Sequence, residues 1–318
     1  MTNTESATFF ANLCPDADTE RLQMAVDWTY LTFRFDDMQC EQESDNSLSR
    51  FVDVAVRFVR TLEEPDAGVF DQRSPFYAPL RDLARRLQEL STPVRIRRLV
   101  DAHRAWFSGV SWQLAYQADL NKVGLNDYVF TRLLHSAAFP TLTWIEISEK
   151  CEIPTPVRAA PAVHALTEMA GAVAAIDNDL LSYGKELWLS QQDNENHDPL
   201  GGNIVHIIAL TERCGQQDAL QAAVALRDRI LVRFLEVHDS ILHVADEPLR
   251  RYLDNLTSLI RGNYEFHLVA DRYRNPDGVH PHAVSVHATR SDNPSASGPP
   301  AGLSSIAWWW RKLAVPSR

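Results

Sequence analysis

Cysteine is scarce in this sequence, and its scarcity argues against two kinds of scaffold. The four cysteines are spread over 318 residues, and no two of them stand at the CxxC spacing. Neither a cysteine-built zinc site nor a disulfide framework is indicated, and a reducing compartment is the default expectation. The cysteines are Cys14, Cys40, Cys151 and Cys214.

Basic charge and long apolar runs are also in short supply. Lys and Arg number 31 against 42 Asp and Glu, which gives a formal net charge of -11. Proteins that bind nucleic acid usually carry a basic patch, so we expect no nucleic-acid partner. No apolar run approaches membrane-spanning length, and residues 1–16 lack the basic flank and apolar stretch of a signal peptide. We expect a cytoplasmic protein without an integral membrane segment.

Strand patterns, in which apolar and polar residues alternate, are nearly absent, and helical periodicity dominates. The hydrophobic fraction of 45% is ample for a substantial core, so the sequence predicts an all-α domain. One predicted helix is interrupted near Phe139 and Pro140, because proline lacks a backbone donor. The predicted helices span residues 19–41, 47–63, 75–90, 93–120, 127–147, 158–189, 203–215, 217–242 and 247–273.

The composition changes abruptly at Asn275. Residues 275–304 are rich in Pro, Ser, Gly, His and Asp and poor in large apolar groups, which predicts disorder. We therefore expect one domain over residues 1–274 and a disordered tail over residues 275–318 that ends in a tryptophan-rich basic segment. The segment Trp308–Trp310 leaves three alternatives open: docking on the domain, which we favour, contact with a membrane surface, or binding of a partner.

Three oxygen-bearing side chains recur at every fourth position in one predicted helix. Asn178, Ser182 and Glu186 fall on one face at this spacing, each about one turn above the last. Amide, hydroxyl and carboxylate oxygens suit Mg²⁺, which often takes its remaining ligands from water and a phosphate. Lys185 is adjacent and suits a phosphate. The alternative is a solvated helix face that carries these residues by chance.

A second acidic cluster stands at the end of the first long predicted helix. Asp36, Asp37 and Glu41 fan across one rim of a helix that is apolar on nearly all sides. Burial of adjacent aspartates is costly unless cations or basic side chains compensate them. The alternative is an acidic helical turn exposed to solvent.

Residues 36–41 and 178–186 together resemble the two metal motifs of class I terpene synthases of the bacterial and fungal single-domain type. Two further matches accompany them. Arg132 lies 46 positions before Asn178, where this family has its diphosphate-sensing arginine, and Arg272–Tyr273 matches the family's arginine–tyrosine pair. The resemblance covers about residues 10–274 and excludes the tail.

The resemblance implies a single-domain helical bundle of the class I terpenoid synthase fold with a central active-site cavity. It also implies three Mg²⁺ ions, for which Mn²⁺ can substitute, bound together with a prenyl diphosphate. A homodimer is a further family expectation. The implied metal ligands are Asp36, Asp37, Glu41, Asn178, Ser182 and Glu186.

The resemblance assigns the remaining site residues as well. The diphosphate-binding residues would be Arg132, Lys185, Arg272 and Tyr273, and the cavity-lining aromatics would be Phe33 and Phe266. Arg132 and Ser136 would be catalytic, with the backbone carbonyl of Ser136 in the effector position. His135 departs from the family, which often has Asp or Thr there, and this puts the hydrogen bond from that position to the arginine in doubt.

The implied reaction is Mg²⁺-dependent ionisation of a linear prenyl diphosphate, followed by cyclisation and release of pyrophosphate. We expect farnesyl diphosphate as substrate and a sesquiterpene as product. Geranyl and geranylgeranyl diphosphate remain open as substrates. One alternative is a chain-elongating prenyl diphosphate synthase, and another is a non-catalytic helical protein that binds prenyl diphosphates.

Overall fold

The fold is all-α, as predicted. The structure is a computed structural model that describes residues 5–36, 48–116, 122–192, 202–289 and 291–314, without the side chain of Asp36. These ranges contain α-helices and no strand, and none of their helices is long and apolar enough to cross a membrane. The helices are α1 (Ser6–Leu13), α2 (Thr19–Asp36), α3 (Leu48–Glu63), α4 (Tyr77–Leu90), α5 (Pro93–Tyr116), α6 (Leu125–His135), α7 (Ala138–Ser148), α8 (Thr155–Arg158), α9 (Pro161–Gln192), α10 (Ile204–Glu212), α11 (Gln216–Leu242), α12 (Glu247–Val269) and α13 (Asp271–Arg274).

Helix α9 lies at the centre of the bundle. It is 32 residues long and packs against α6, α7, α10, α11 and α12. Its first half is rich in alanine and contains Gly171, which leaves little side-chain bulk between it and its neighbours. A Cβ atom placed on Gly171 would lie 3.4 Å from the Cβ of Ala138, so the small residues here allow α7 to approach α9 closely.

An aromatic cluster fixes the end of α2. Phe35 is fully buried, and its ring centroid lies 5.3–6.1 Å from those of its aromatic neighbours. Such edge-on and tilted contacts favour one arrangement of rings beyond simple burial. The last turn of α2, which carries Asp36, is thereby held against the core. The neighbours of Phe35 are Phe51, Phe58, Phe76, Trp106 and Phe107.

The predicted helix over residues 127–147 is interrupted earlier than expected. Helix α6 ends at His135 and α7 begins at Ala138, with Ala137 in the left-handed region at φ 58°. Pro140 lies in the first turn of α7, where a backbone N–H has no intrahelical partner and its loss costs little. The proline is therefore accommodated beside the break and does not itself form it.

The tail contacts the domain near its tryptophan-rich end. Trp309 lies in the 3₁₀ helix Ala307–Trp310, is fully buried, and donates from Nε1 to Glu168 at 2.9 Å. Arg233 donates from Nε to the carbonyl of Trp309 at 2.8 Å, and the Ser305 amide donates to Asn126 at 2.9 Å. These contacts are made by residues 305 and 309 and agree with docking of the aromatic segment on the domain. The disorder expected for residues 275–304 stays a prediction.

Candidate active site

Asn178, Ser182 and Glu186 occupy successive turns of α9, as the spacing predicts. The Ser182 hydroxyl donates to one carboxylate oxygen of Glu186 at 2.6 Å, and Asn203 Nδ2 donates to the other at 2.8 Å. The pKa of the Glu186 carboxyl is raised to about 7, mainly by burial and also by the Asp179 charge, and these hydrogen bonds act in the opposite direction. The carboxylate form of Glu186 would therefore be favoured by a cation beside it.

Arg132 of α6 points at the same region of α9. Its Nη2 donates to Asn178 Oδ1 at 2.7 Å and to Asp179 Oδ1 at 2.6 Å. Burial disfavours the positive charge, yet the Asp179 carboxylate outweighs it and raises the pKa of Arg132 above its usual range. The guanidinium is thus charged and held by two consecutive residues of the predicted metal motif. Its buried Nε has no hydrogen-bond partner among the described residues.

Asp179 is the residue at this site that sequence reasoning missed. It is 2% exposed and also accepts from Tyr128 at 2.7 Å and from the Ile204 amide at 3.2 Å. Asn203, at the start of α10, donates to its backbone carbonyl at 2.7 Å. One signal in the sequence could have indicated such a shared partner. Tyr128 precedes Arg132 by four positions, which places both side chains on one face of α6.

His135 contacts Arg132, the predicted sensing arginine, despite the departure from the family pattern. Its Nδ1 lies 3.2 Å from Arg132 Nη1, and an arginine can only donate, so the histidine accepts. Burial lowers the pKa of His135 well below its usual range, and the adjacent guanidinium lowers it further. The neutral ring is therefore the form suited to this contact, and the doubt raised by the sequence about this hydrogen bond is resolved.

Ser136 lies at the break between α6 and α7, next to left-handed Ala137. Gly109 of helix α5 lies in close contact with the residues just before this break. A Cβ atom there would lie only 2.6 Å from the His135 amide nitrogen and 2.6 Å from Leu134 Cβ. Only glycine permits this approach without displacing backbone, because real Cβ contacts are not that short. The effector role of the Ser136 carbonyl stays a prediction.

The arginine–tyrosine pair lies next to both predicted aromatics. The Arg272 guanidinium lies 4.7 Å from the centroid of Phe33, a cation–π contact between α13 and α2. Phe266 is fully buried between Phe9 and Tyr273, with ring centroids 5.0 and 6.2 Å away. These contacts explain how the rings pack, and their predicted role in lining a cavity stays a prediction.

Lys185 and the first acidic motif complete the predicted residues. Lys185 is half-buried on α9, and its positive charge acts to lower the pKa of Glu186. The side chain of Asp36, and all of Asp37 and Glu41, lie outside the described residues. Within the described ranges, no group of three His, Cys, Asp or Glu side chains is placed to hold a metal ion. Any metal bound here would therefore rely on the amide and hydroxyl of Asn178 and Ser182 as well as on Glu186.

The donor set fits a divalent cation that also binds a phosphate. Asn178, Ser182 and Glu186 offer three different oxygen donors along one helix face, which suits Mg²⁺ and leaves coordination positions open. The unpartnered Nε of Arg132 adds a buried donor suited to an anion at the same face.

Comparison with known proteins agrees with this geometry. A family model described as terpene synthase family 2, C-terminal metal binding, matches residues 27–231. Phomopsene synthase of Allokutzneria albata is 46% identical over 97% of this chain and 84% of its own length. The diterpene cyclase DtcycA of a Streptomyces species is 31% identical over 94% of this chain and 81% of its own. A solved protein from ancestral sequence reconstruction superposes with a TM-score of 0.80 at 38% identity, over 96% of this chain and 84% of its own.

Proposed function

Because the chain belongs to terpene synthase family 2 and is a class I terpene synthase, we propose that it ionises a linear prenyl diphosphate and cyclises the resulting carbocation. The proposal rests mainly on the hydrogen bonds that Arg132 donates to Asn178 and Asp179. This contact connects the predicted diphosphate sensor directly to the predicted metal motif. Such proximity is what a site needs if metal and diphosphate bind together.

The metal is divalent, and we propose Mg²⁺, with Mn²⁺ as a substitute, and three ions in all. Asn178, Ser182 and Glu186 would hold one ion, and Asp36, Asp37 and Glu41 would hold the others. When bound, these cations neutralise the diphosphate and make it a better leaving group. Asn203 and Ser182 hold the Glu186 carboxylate in place before any ion arrives.

Four side chains of this chain would bind the diphosphate oxygens. Arg132 would donate through Nε, since its Nη2 already donates to Asn178 and Asp179. Arg272 can donate two parallel hydrogen bonds, while Lys185 and Tyr273 each supply a single donor. Asp179 keeps the Arg132 guanidinium oriented. The side chain of Arg132 therefore loses little conformational freedom when the substrate binds. The proposed role of this set is to bind and orient the leaving group.

The bond that breaks is the one between the allylic carbon and the diphosphate oxygen, and its electron pair leaves with pyrophosphate. The allylic cation is then attacked by a distal double bond of the same chain, and loss of a proton gives the cyclic alkene. Phe33 and Phe266 would offer aromatic faces to the cation and exclude water. The carbonyl of Ser136, at the end of α6, would point its partial negative charge at the developing cation.

For the substrate, we propose geranylgeranyl diphosphate, a choice that differs from the farnesyl diphosphate expected from the sequence. It rests on the relative at 31% identity whose name is diterpene cyclase, since a diterpene derives from a twenty-carbon diphosphate. Farnesyl diphosphate is the second candidate. It is supported by a (+)-T-muurolol synthase of Streptomyces clavuligerus, 28% identical over 95% of this chain, whose name states that it cyclises farnesyl diphosphate.

The experiment is incubation of the purified protein with each linear diphosphate, with Mg²⁺ and with EDTA, followed by mass spectrometry of the organic extract. We expect a Mg²⁺-dependent cyclic product of twenty carbons. A product of fifteen carbons alone would overturn the substrate proposal and leave the reaction intact. Intact diphosphates throughout, from a folded protein, would instead favour a binding protein, and a longer diphosphate formed on addition of a five-carbon partner would favour chain elongation.

The metal site has a separate test in Asn178→Leu, which should retain the fold and abolish Mg²⁺-dependent turnover. The matched control is Gln192→Leu, which removes an exposed amide from the same helix. Near-normal turnover in Asn178→Leu would contradict the assignment.

A further inference from the structure

His267 of α12 is a buried histidine that the reaction outlined above does not use. It is 3% exposed, and its Nδ1 lies 2.6 Å from the backbone carbonyl of Asn263, one turn earlier. A carbonyl can only accept, so Nδ1 carries the proton and Nε2 is left as an acceptor. The tautomer of the neutral ring follows from this contact.

The acceptor nitrogen of His267 faces two groups of the site. Asn178 Nδ2 lies 2.6 Å from Nε2, and the Tyr273 hydroxyl lies 2.8 Å from it. The Tyr273 ring also stacks on the imidazole with centroids 4.5 Å apart. One ring therefore contacts both the α9 motif and the arginine–tyrosine pair.

The amide of Asn178 has its orientation fixed from both ends. On one side His267 Nε2 only accepts, which requires the NH₂ group there. On the other side Arg132 only donates, which requires the oxygen there, at 2.7 Å. The oxygen end of this amide is the end that a cation needs, because the NH₂ group has no lone pair to offer.

Helix α12 is itself held in register with α9 one turn before His267. Asn263 Nδ2 donates to the backbone carbonyl of Ala174 at 3.0 Å. Ala174 precedes Asn178 by four positions, so this contact lies one turn from the His267 contact on both helices. The hydrogen bond between Asn263 and Ala174 therefore helps to fix the position of the His267 imidazole relative to Asn178.

From this geometry we infer that His267 is a positioning residue, which sets the Asn178 amide with its oxygen toward the metal side. The inference rests on the proposed function, since it assigns a role in binding the metal. Loss of the acceptor would leave the Asn178 NH₂ group without this partner and the amide held by Arg132 alone, so the orientation of the amide would be fixed less firmly. Loss of such supporting contacts typically weakens metal binding by about 10–100-fold.

The test compares His267→Phe, which keeps a flat ring and removes the acceptor, with His267→Gln, whose side-chain oxygen can accept. The readout is Mn²⁺ binding in the presence of inorganic pyrophosphate, measured by electron paramagnetic resonance and calorimetry without turnover. We expect His267→Phe to weaken Mn²⁺ binding about 10–100-fold and His267→Gln to recover most of it. Activity assays should show a higher Mg²⁺ requirement, with a smaller change in kcat at saturating Mg²⁺.

Two results would overturn the inference. The first is Mn²⁺ affinity unchanged in His267→Phe, and the second is equal weakening in His267→Gln and His267→Phe, which would point to ring packing. Thermal unfolding checks that each variant is folded, and His267→Leu replaces the phenylalanine variant if that one unfolds. If wild-type protein itself binds no Mn²⁺ with pyrophosphate, the proposed function fails first, so the two failures are distinguishable.

Discussion

The guanidinium of Arg132 lies 2.6 Å from a carboxylate oxygen of Asp179, which stands 47 positions later in the chain. Both side chains are largely removed from solvent. In a buried pair of this kind, either charge left alone is costly. The pair therefore fixes the position of the Arg132 guanidinium, and the strength of the pair can be measured.

We expect Asp179→Asn to be strongly destabilising. The substitution keeps the shape of the side chain and leaves the Arg132 charge uncompensated, so the free energy of unfolding should fall by about 3 kcal/mol. Turnover should fall by about 100-fold, since the guanidinium loses its orientation. Denaturant titration and steady-state kinetics measure the two effects.

The control for this change is Tyr128→Phe, which removes one hydrogen bond to Asp179 and leaves the ion pair. Its cost should be about 2 kcal/mol, within the range of a hydrogen bond to a charged group. Equal effects of the two substitutions would show that the charge pair is not what holds the site.

Gly109→Ala should disturb the break between α6 and α7. The added methyl would lie 2.6–2.8 Å from backbone and Cβ atoms of residues 134 and 135, so one helix must move. We expect a loss of about 1–3 kcal/mol in stability from overpacking, together with a larger relative loss of turnover, because Arg132 and Ser136 flank the displaced segment. Gly124→Ala is the matched control, since nothing lies within 4 Å of its Cβ position. Wild-type turnover in Gly109→Ala would contradict the close approach.

Trp309→Ala should cost about 3–5 kcal/mol, the range for removing a fully buried large aromatic. Trp308→Ala, one position earlier, serves as the comparison because Trp308 is only partly buried, beside His164. Its effect should be clearly smaller. If both variants unfold at the wild-type temperature, the docking of the tail seen here does not stabilise the domain in solution.

Stability should fall in mild acid through His103. Burial lowers the pKa of His103 to about 4 from its ordinary value of 6.5. Between these two pH values the unfolded chain binds more protons than the folded one, so the free energy of unfolding decreases as pH falls. Above pH 6.5 the contribution is constant, and at pH 5 the loss should be about 2 kcal/mol.

The measurement is a comparison of wild type with His103→Gln at several pH values. Glutamine does not titrate, and its side-chain oxygen can still accept from Trp28 Nε1, which lies 2.9 Å from His103 Nε2. The stability difference between the two proteins should change with pH, and other histidines cancel in that difference. A difference that is the same at pH 7.5 and pH 5 would refute the prediction.

Parts of the site that depend on one helix were predictable from sequence. Asn178, Ser182 and Glu186 share a face because the α-helix repeats every 3.6 residues, whatever surrounds it. The all-α class follows in the same way from helical periodicity. The partners of Asp179 were not predictable, because Tyr128 and Asn203 reach it from other helices. The contact between His267 and Asn178 was not predictable either, because the two residues lie on different helices.

The exact position of the helix break and the particular contacts of the tail were likewise not predictable from the sequence. Pro140 correctly signalled an interruption, but the break falls at Ser136 and Ala137, where α5 presses in at Gly109. Composition alone could not show that Trp309 is fully buried against the domain. By itself the sequence determined helix content, helix faces and the order of the motifs, since these follow from local backbone geometry. Only the tertiary structure decided which side chain orients which, because those contacts depend on how separate helices pack.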